Sequence, residues 1–238
     1  MTSDPPPART ASSTSSVRPA GIRPPQRQVL ADDVYEAVKA LVMDHVIAPG
    51  ARVSIDGLAR QLGVSQTPIR EALARLESDG LVTKEPLRGY SATPLLTRSE
   101  VDDLFLFRLL VEPWAASRAA ELADRDAHAR ITQEIASCPE PPLGDEYEAY
   151  KTLAAHDSRF HSLIAALSGN RQLRVALERT HCHLHIFRLY SAGGGGTQTL
   201  AEHQRIAAAV IRGGASAAER AMREHLERAR DRLRASFG

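Results

Sequence analysis

The chain has 238 residues, 43% of them hydrophobic and 25% charged, the composition of a soluble globular protein large enough for two modest domains. Its formal charge is only +1, so bulk charge excludes a polybasic nucleic-acid binder and any basic footprint must be local. No apolar run approaches the roughly 20 residues that cross a bilayer, no apolar signal core is visible, and Cys138 and Cys182 make no disulfide framework, so a cytoplasmic protein with reduced thiols is expected.

Residues 1–27 are Pro, Ser, Thr, Ala and Arg with almost no large apolar side chain, which predicts a disordered tail. Asp32 or Asp33 then starts a helix with Val34, Val38, Leu41, Val42 and His45 on one face. Ala48-Pro49-Gly50 ends it.

The stretch Ser54–Asp79 predicts two short helices joined by a tight turn. The first carries Ile55, Leu58, Ala59 and Leu62 on one face, and Gly63 breaks it. Ser65 is placed to cap the second, with Pro68 inside its first turn, where a missing N–H costs little. Ile69, Ala72, Leu73 and Leu76 form an inward stripe at i, i+3, i+4 and i+7. The other face holds Gln66, Thr67, Arg70, Ala74 and Arg75, with no acidic residue, as a helix entering the DNA major groove requires. An ordinary helical hairpin in a core fits the pattern equally well. The sequel favours DNA: Leu81–Lys84 and Tyr90–Thr93 read as two short strands around Arg88-Gly89, a hairpin wing with a basic, glycine-bearing tip.

From residue 97 onward the pattern predicts six helices and no strands. Thr97-Arg98-Ser99-Glu100 has capping-box spacing and opens a long helix. Val101, Leu104, Phe105, Leu106, Leu109, Leu110 and Trp114 make that helix apolar nearly all round, so it is expected between other helices or at a dimer contact. Arg108 and Glu112 lie within it at i, i+4, the spacing of a structural ion pair. Further helices are expected over about 127–137, 145–168 and 171–190. A flexible link at Gly193–Gly196 follows, then helices opened by capping boxes at Thr199–Glu202 and Ser216–Glu219. The fold class is therefore mostly α: a winged helix-turn-helix over 28–96 and an antiparallel bundle of about six helices over 97–238.

Asp157 and His161 are four apart on one helix and project to one side. His203 lies near the start of the penultimate helix and His225 in the middle of the last. Three neighbouring helices can aim these groups at one point. One carboxylate and three imidazoles suit Zn²⁺, Ni²⁺, Mn²⁺ or Co²⁺, and in a bundle such a site sits in the core. Scattered polar residues are the competing reading. The run His181, Cys182, His183, Leu184, His185 is a rival metal candidate, read as solvated or structural.

GVSQTPIREALARLESDGLV with its glycine-tipped wing resembles the GntR family of bacterial transcription regulators. The helical half resembles the effector domain of that family's FadR-type branch. The resemblance spans about residues 29–236. It rests in the helical half on the Arg108–Glu112 helix, DSRFH with Gly169-Asn170 behind it, Glu202-His203, and MREHL around His225. It implies a divalent metal, zinc foremost, on Asp157, His161, His203 and His225, whose spacings of 42 and 22 residues fit the branch's pattern. It also implies DNA contacts from Ser65, Gln66, Thr67, Arg70, Arg88 and Gly89, with an inverted-repeat operator read by a homodimer. Many relatives carry Arg where this chain has Gln66, and some carry a basic residue where it has Asp56, so an operator that differs from theirs at the base read by residue 66 is expected. The expected function is a ligand-responsive regulator, repression relieved by a small organic acid, with Arg108 and, as a second candidate, Arg188 for the effector's carboxylate. A metal-dependent hydrolase with an accessory DNA-binding domain and an effector-independent DNA-binding protein are the alternatives.

Overall fold

A computed structural model describes residues 26–141, 144, 146–189 and 196–237. The expected tail, apart from Gln26 and Arg27, lies outside them, and so does the expected link at Gly193–Gly196 apart from Gly196, which opens a helix instead.

The N-terminal half runs α1 (Gln26–Met43), β1 (Arg52–Val53), α2 (Ile55–Leu62), α3 (Gln66–Ser78), β2 (Val82–Glu85) and β3 (Gly89–Ala92). Helix α1 begins several residues before the expected Asp32 or Asp33. Ser54 caps α2 by accepting from the Gly57 amide at 3.0 Å, and Gly63 at φ 67° ends it in the left-handed conformation that favours glycine. Ser65 holds the N-cap position of α3, but its hydroxyl makes no capping bond, contrary to expectation. The two-stranded wing is extended by β1, which pairs antiparallel with β3 in the order β1-β3-β2. A strand of two residues carries too little period-2 pattern to be read from sequence.

Among the described residues seven helices follow: α4 (Arg98–Leu122), α5 (Arg125–Ala136), α6 (Tyr147–Leu167), α7 (Arg171–Arg179), α8 (Cys182–Leu189), α9 (Gly196–Ile211) and α10 (Ala215–Arg234), then a 3₁₀ turn over Ala235–Phe237. The expected helix over 171–190 is two helices, α7 and α8, because His181 adopts φ 47° between them. The Thr97–Glu100 capping box is present, and Asp124 caps α5, which starts at Arg125, two residues before the expected start. The other two predicted boxes are not caps. Helix α9 starts at Gly196, so Thr199 and Glu202 are buried inside it, and α10 starts after Gly214 with no side-chain cap.

Helix α4 packs along α10 and against α6 and α9, burying Val101, Phe105, Ala115, Ala116 and Ala119. Its other side is left uncovered by the described residues. Leu106, Leu110 and Trp114, at i, i+4 and i+8, are 58%, 71% and 44% exposed. The core forms two clusters. One lies within the helical half. The other unites Val38, Leu73 and Leu76 of the winged half with Tyr147, Tyr150 and Leu153 of α6, Phe187 of α8 and Leu200 of α9. Among the described residues no helix is long and apolar enough to cross a membrane.

Candidate metal centre and DNA interface

The inward stripes of α6, α9 and α10 are apolar except at one level. Helix α6 buries Leu153, Phe160 and Ile164 around Asp157 and His161, α9 buries Ile206 and Val210 beyond His203, and α10 buries Met222 and Leu226 beside His225. The helical period therefore carries four metal-ligating side chains into the core together. One donor atom from each of Asp157, His161, His203 and His225 lies within 4.8 Å of every other, and all four residues are buried. Donors bound at about 2.1 Å to one ion lie at most about 4.2 Å apart, so small side-chain shifts close the set.

Each ligand is held from outside. His161 Nδ1 bonds the Glu112 carboxylate, and Arg108 Nε donates to the same carboxylate at 2.5 Å. His225 Nδ1 bonds Glu202 at 2.8 Å, and Arg232 grips Glu202 through two bonds of 3.0 and 2.9 Å. His203 Nδ1 meets His156 Nε2 at 3.0 Å, and His156 Nδ1 meets Glu134 at 2.9 Å. Phe160 stacks on the His203 ring with centroids 4.2 Å apart. All three Nδ1 atoms are thus committed outward, which leaves each Nε2 for the centre. The Nε2 of His203 lies 3.4 Å from Asp157 Oδ1 yet is buried without a hydrogen bond. A buried nitrogen with no bond costs stability unless something else takes its lone pair or proton.

The electrostatics suit a cation. Burial, reinforced by His225, pushes His203 well below the ordinary histidine range. Burial likewise brings His161 down to about 4 despite the pull of Glu112. Asp157 would be raised by burial, but His183, His161 and His203 hold it well below the usual carboxylate range. Neutral imidazoles and an ionised carboxylate are the protonation states a metal requires.

His183, from the run read as solvated or structural, is buried and bonds Asp157 Oδ2 at 2.5 Å. Burial lowers its basicity, but Cys182 and Asp157 carry it up to about 10. The break at His181 turns His183 inward, and no i, i+4 pattern announces that. His156, Glu134 and Glu202 also went unnoticed as partners of the ligands. Their one sequence signal is position: His156 adjoins Asp157 and Glu202 adjoins His203. Arg108 stands beside the centre, its Nη2 3.4 Å from the His161 ring nitrogens. Arg188 is engaged elsewhere: its Nη2 donates to the Thr93 carbonyl at 2.7 Å. Cys138 and Cys182 are buried and free.

In the winged half Ser65, Gln66, Thr67, Arg70, Arg88 and Gly89 are all exposed. The two unusual residues touch: Gln66 Nε2 donates to Asp56 at 2.5 Å, and Arg70 donates to Gln66 Oε1 at 3.1 Å. Arg75 turns back, bonding Asp32 at 2.7 Å with its guanidinium 3.9 Å from the Tyr35 ring centre.

Residues 103–228 match the FCD domain, and residues 30–91 match the gntR family of bacterial regulatory proteins. The chain belongs to the GntR family, in the branch that carries an FCD (FadR C-terminal) domain. Among its relatives is the uncharacterized HTH-type transcriptional regulator YdhC of Bacillus subtilis (strain 168), 29% identical over 174 residues, 72% of this chain and 76% of that one. The HTH-type transcriptional repressor RspR of Escherichia coli (strain K12) is 24% identical over 209 residues, 87% of this chain and 90% of that one. The fold matches the solved structure of E. coli McbR/YncC with a TM-score of 0.62 at 20% identity, covering 88% of this chain and 99% of that one. This GntR-family chain is a transcription regulator, and its homologues are regulators rather than enzymes. Its buried Asp/His cluster is consistent with a metal site.

The outer bonds predict how the cluster responds to mutation. His156→Ala removes the partner of His203 Nδ1 and should lower zinc affinity ~10–100-fold. His156→Gln, which keeps an acceptor, should lose less. Competition against a chromophoric zinc chelator measures both, and equal affinity of His156→Ala and wild type would refute the positioning role.

Proposed function

We propose that this regulator is a metal-dependent sensor of a small carboxylate, acting on DNA as a homodimer in the bacterial cytoplasm. In this reading residues 28–96 read the operator and residues 97–238 bind the effector and the second protomer, with residues 1–27 as a tail. The observation that carries it is the convergence of four buried donor atoms within 4.8 Å in a chain whose other half is a winged helix-turn-helix.

Asp157, His161, His203 and His225 would hold the ion, zinc first and Ni²⁺, Mn²⁺ or Co²⁺ as alternatives for this N/O set. Bound there, the metal would supply a Lewis-acidic centre with open positions for a carboxylate. Glu112, Glu202 and His156 keep the three imidazoles turned inward. Arg108 lends positive charge beside the centre, where it would meet an incoming carboxylate; its Nε is already committed to Glu112.

On DNA, Ser65, Gln66, Thr67 and Arg70 would enter the major groove and Arg88 and Gly89 would reach the backbone from the wing. The Asp56–Gln66–Arg70 chain gives Gln66 a second role. Both ends of its carboxamide are engaged, so it steadies Arg70, the group best suited to reading guanine. Two protomers would read an inverted repeat, and the exposed stripe of Leu106, Leu110 and Trp114 supports their contact through α4. Effector binding relieves repression in this reading, which requires unequal affinity for the two arrangements of the DNA-reading halves.

Three experiments test the reading. Elemental analysis of tag-free protein should find about one divalent metal per chain, and His203→Ala should lose it while still binding DNA. Metal-free wild type after reconstitution with zinc and nickel would sink the metal assignment. Arg70→Ala should weaken operator binding by ~1–3 kcal/mol in a gel shift on DNA upstream of the gene, and unchanged affinity would remove α3 from the groove. Leu110→Glu places a charge in the exposed stripe and should give monomers by analytical ultracentrifugation; an unchanged dimer would move the contact elsewhere.

A further inference from the structure

Arg188 is the unexplained charge of this molecule. Its residue exposure is 1%, yet no carboxylate among the described residues lies within salt-bridge distance of it. Nη2 donates to the Thr93 carbonyl at 2.7 Å, while Nε and Nη1 are buried with no hydrogen-bond partner among the described residues. A buried guanidinium without a counter-ion is costly, because desolvation is not repaid by pairing. Burial and the nearby Arg188 bring His185, one turn earlier on α8, down to about 4, so it is neutral, and burial keeps the Tyr150 phenol protonated, so neither supplies a counter-charge.

The position of Arg188 is as informative as its loneliness. Thr93 follows the last wing strand, β3. Its hydroxyl donates to the Gly80 carbonyl at 2.7 Å and its amide to the Leu81 carbonyl at 3.0 Å. Gly80 and Leu81 directly follow the recognition helix α3. One carbonyl of the junction therefore receives Arg188 from the effector half, while the same residue ties the wing to the end of α3.

We propose that Arg188 is an anion-binding residue at the junction of the two halves, and that a carboxylate seated on its free N–H groups holds the DNA-reading half in place through Thr93. The inference deepens the sensor reading and rests on it. The arrangement with Arg188 bonded to Thr93 buries the guanidinium uncompensated, so an anion that completes its bonds favours this arrangement over one in which Arg188 reaches water. That supplies the unequal affinity a ligand needs to shift an equilibrium. This carboxylate is not the one proposed for the metal. Arg188 and His183, which bonds Asp157, are five residues apart on α8, about 7.5 Å along the helix axis. The occupant is the second acidic end of a longer effector or a separate small carboxylate.

Hydrogen–deuterium exchange of full-length, zinc-loaded protein tests this, with malonate as the probe and chloride keeping ionic strength constant. Malonate should slow exchange across residues 80–94 in wild type. Arg188→Gln should lose that effect, Arg188→Lys should recover part of it, and His203→Ala should keep it. A wild-type segment 80–94 that ignores saturating malonate overturns the proposal without any variant, and so does an Arg188→Gln protein that responds like wild type. A malonate response that needs His203 and not Arg188 overturns the junction site and leaves the metal sensor standing. A response that needs Arg188 in a protein that binds no metal supports the junction and removes the metal sensor. Glutarate and acetate, compared at equal ionic strength, separate the two sources: a bridging effector needs both acidic ends and both sites, whereas a separate anion acts as acetate.

Discussion

Ionisable side chains placed in a helical core must be bonded on every side, and that constraint organises the effector half. An unpaired buried ion costs several kcal/mol. Here the obligation is passed outward in steps. Asp157 leans on His183, His161 on Glu112 and Glu112 on Arg108, His225 on Glu202 and Glu202 on Arg232, and His203 on His156 and Glu134. Every chain ends on a cation or near the surface. The inward-facing Nε2 of His203, buried without a hydrogen bond, marks the middle of the arrangement. Among the described residues six helices contribute partners, so the cluster also dictates how α4, α5, α6, α8, α9 and α10 register against one another. Helix α4 shows the consequence most plainly. Its inner face must be charged at Arg108 and Glu112, and its outer face is free to be apolar.

Much of this was legible in the chain. The i, i+4 spacing of Asp157 and His161 places them together whatever the rest of the fold does, and the stripes of α9 and α10 bring His203 and His225 to the same core. The winged helix-turn-helix follows from local signals, the Gly63 break, Pro68 in a first turn and Gly89 at a wing tip. What was not legible depends on contacts between elements. Ser216 and Glu219 have capping-box spacing, but α10 begins a residue earlier and needs neither. Thr199 and Glu202 have the same spacing, and there the tertiary demand wins, because Glu202 is drawn inward to bond His225 and Arg232. His183 reaches Asp157 only because the chain takes a left-handed step at His181, a conformation no periodicity predicts. Strand β1 is two residues long and exists through its pairing with β3.

The recognition helix shows the same dependence on context. Taken singly, Asp56 and Gln66 look like two losses of positive charge from a DNA-binding face. In the fold they are one unit. Gln66 spans the gap between a carboxylate on α2 and a guanidinium on α3, a job that an arginine at 66 would do differently, by neutralising Asp56 outright. Exposed bonds of this kind contribute little to stability. Their effect is on which rotamer Arg70 presents, and in the proposed reading that acts on specificity rather than affinity.

The two ends of the molecule share their rigid parts. Helix α6 carries Asp157 and His161 at one level and Tyr147 and Tyr150 two turns away, where the Tyr147 amide donates to Asp44 at the end of α1. Helix α8 carries His183 at the cluster and Arg188 at Thr93, five residues apart. A Cβ on Gly80 would approach His181 and His185 to 3.3 and 3.4 Å, so the end of α3 sits directly on the start of α8. Close-packed helices do not deform smoothly. A rotation of α6 or α8 that changes the cluster by a fraction of an ångström therefore changes Tyr147, Arg188 and the Gly80 seat together. No chain of loops has to relay the proposed signal, because the groups that would sense it and the groups that fix the winged half are carried on the same two helices.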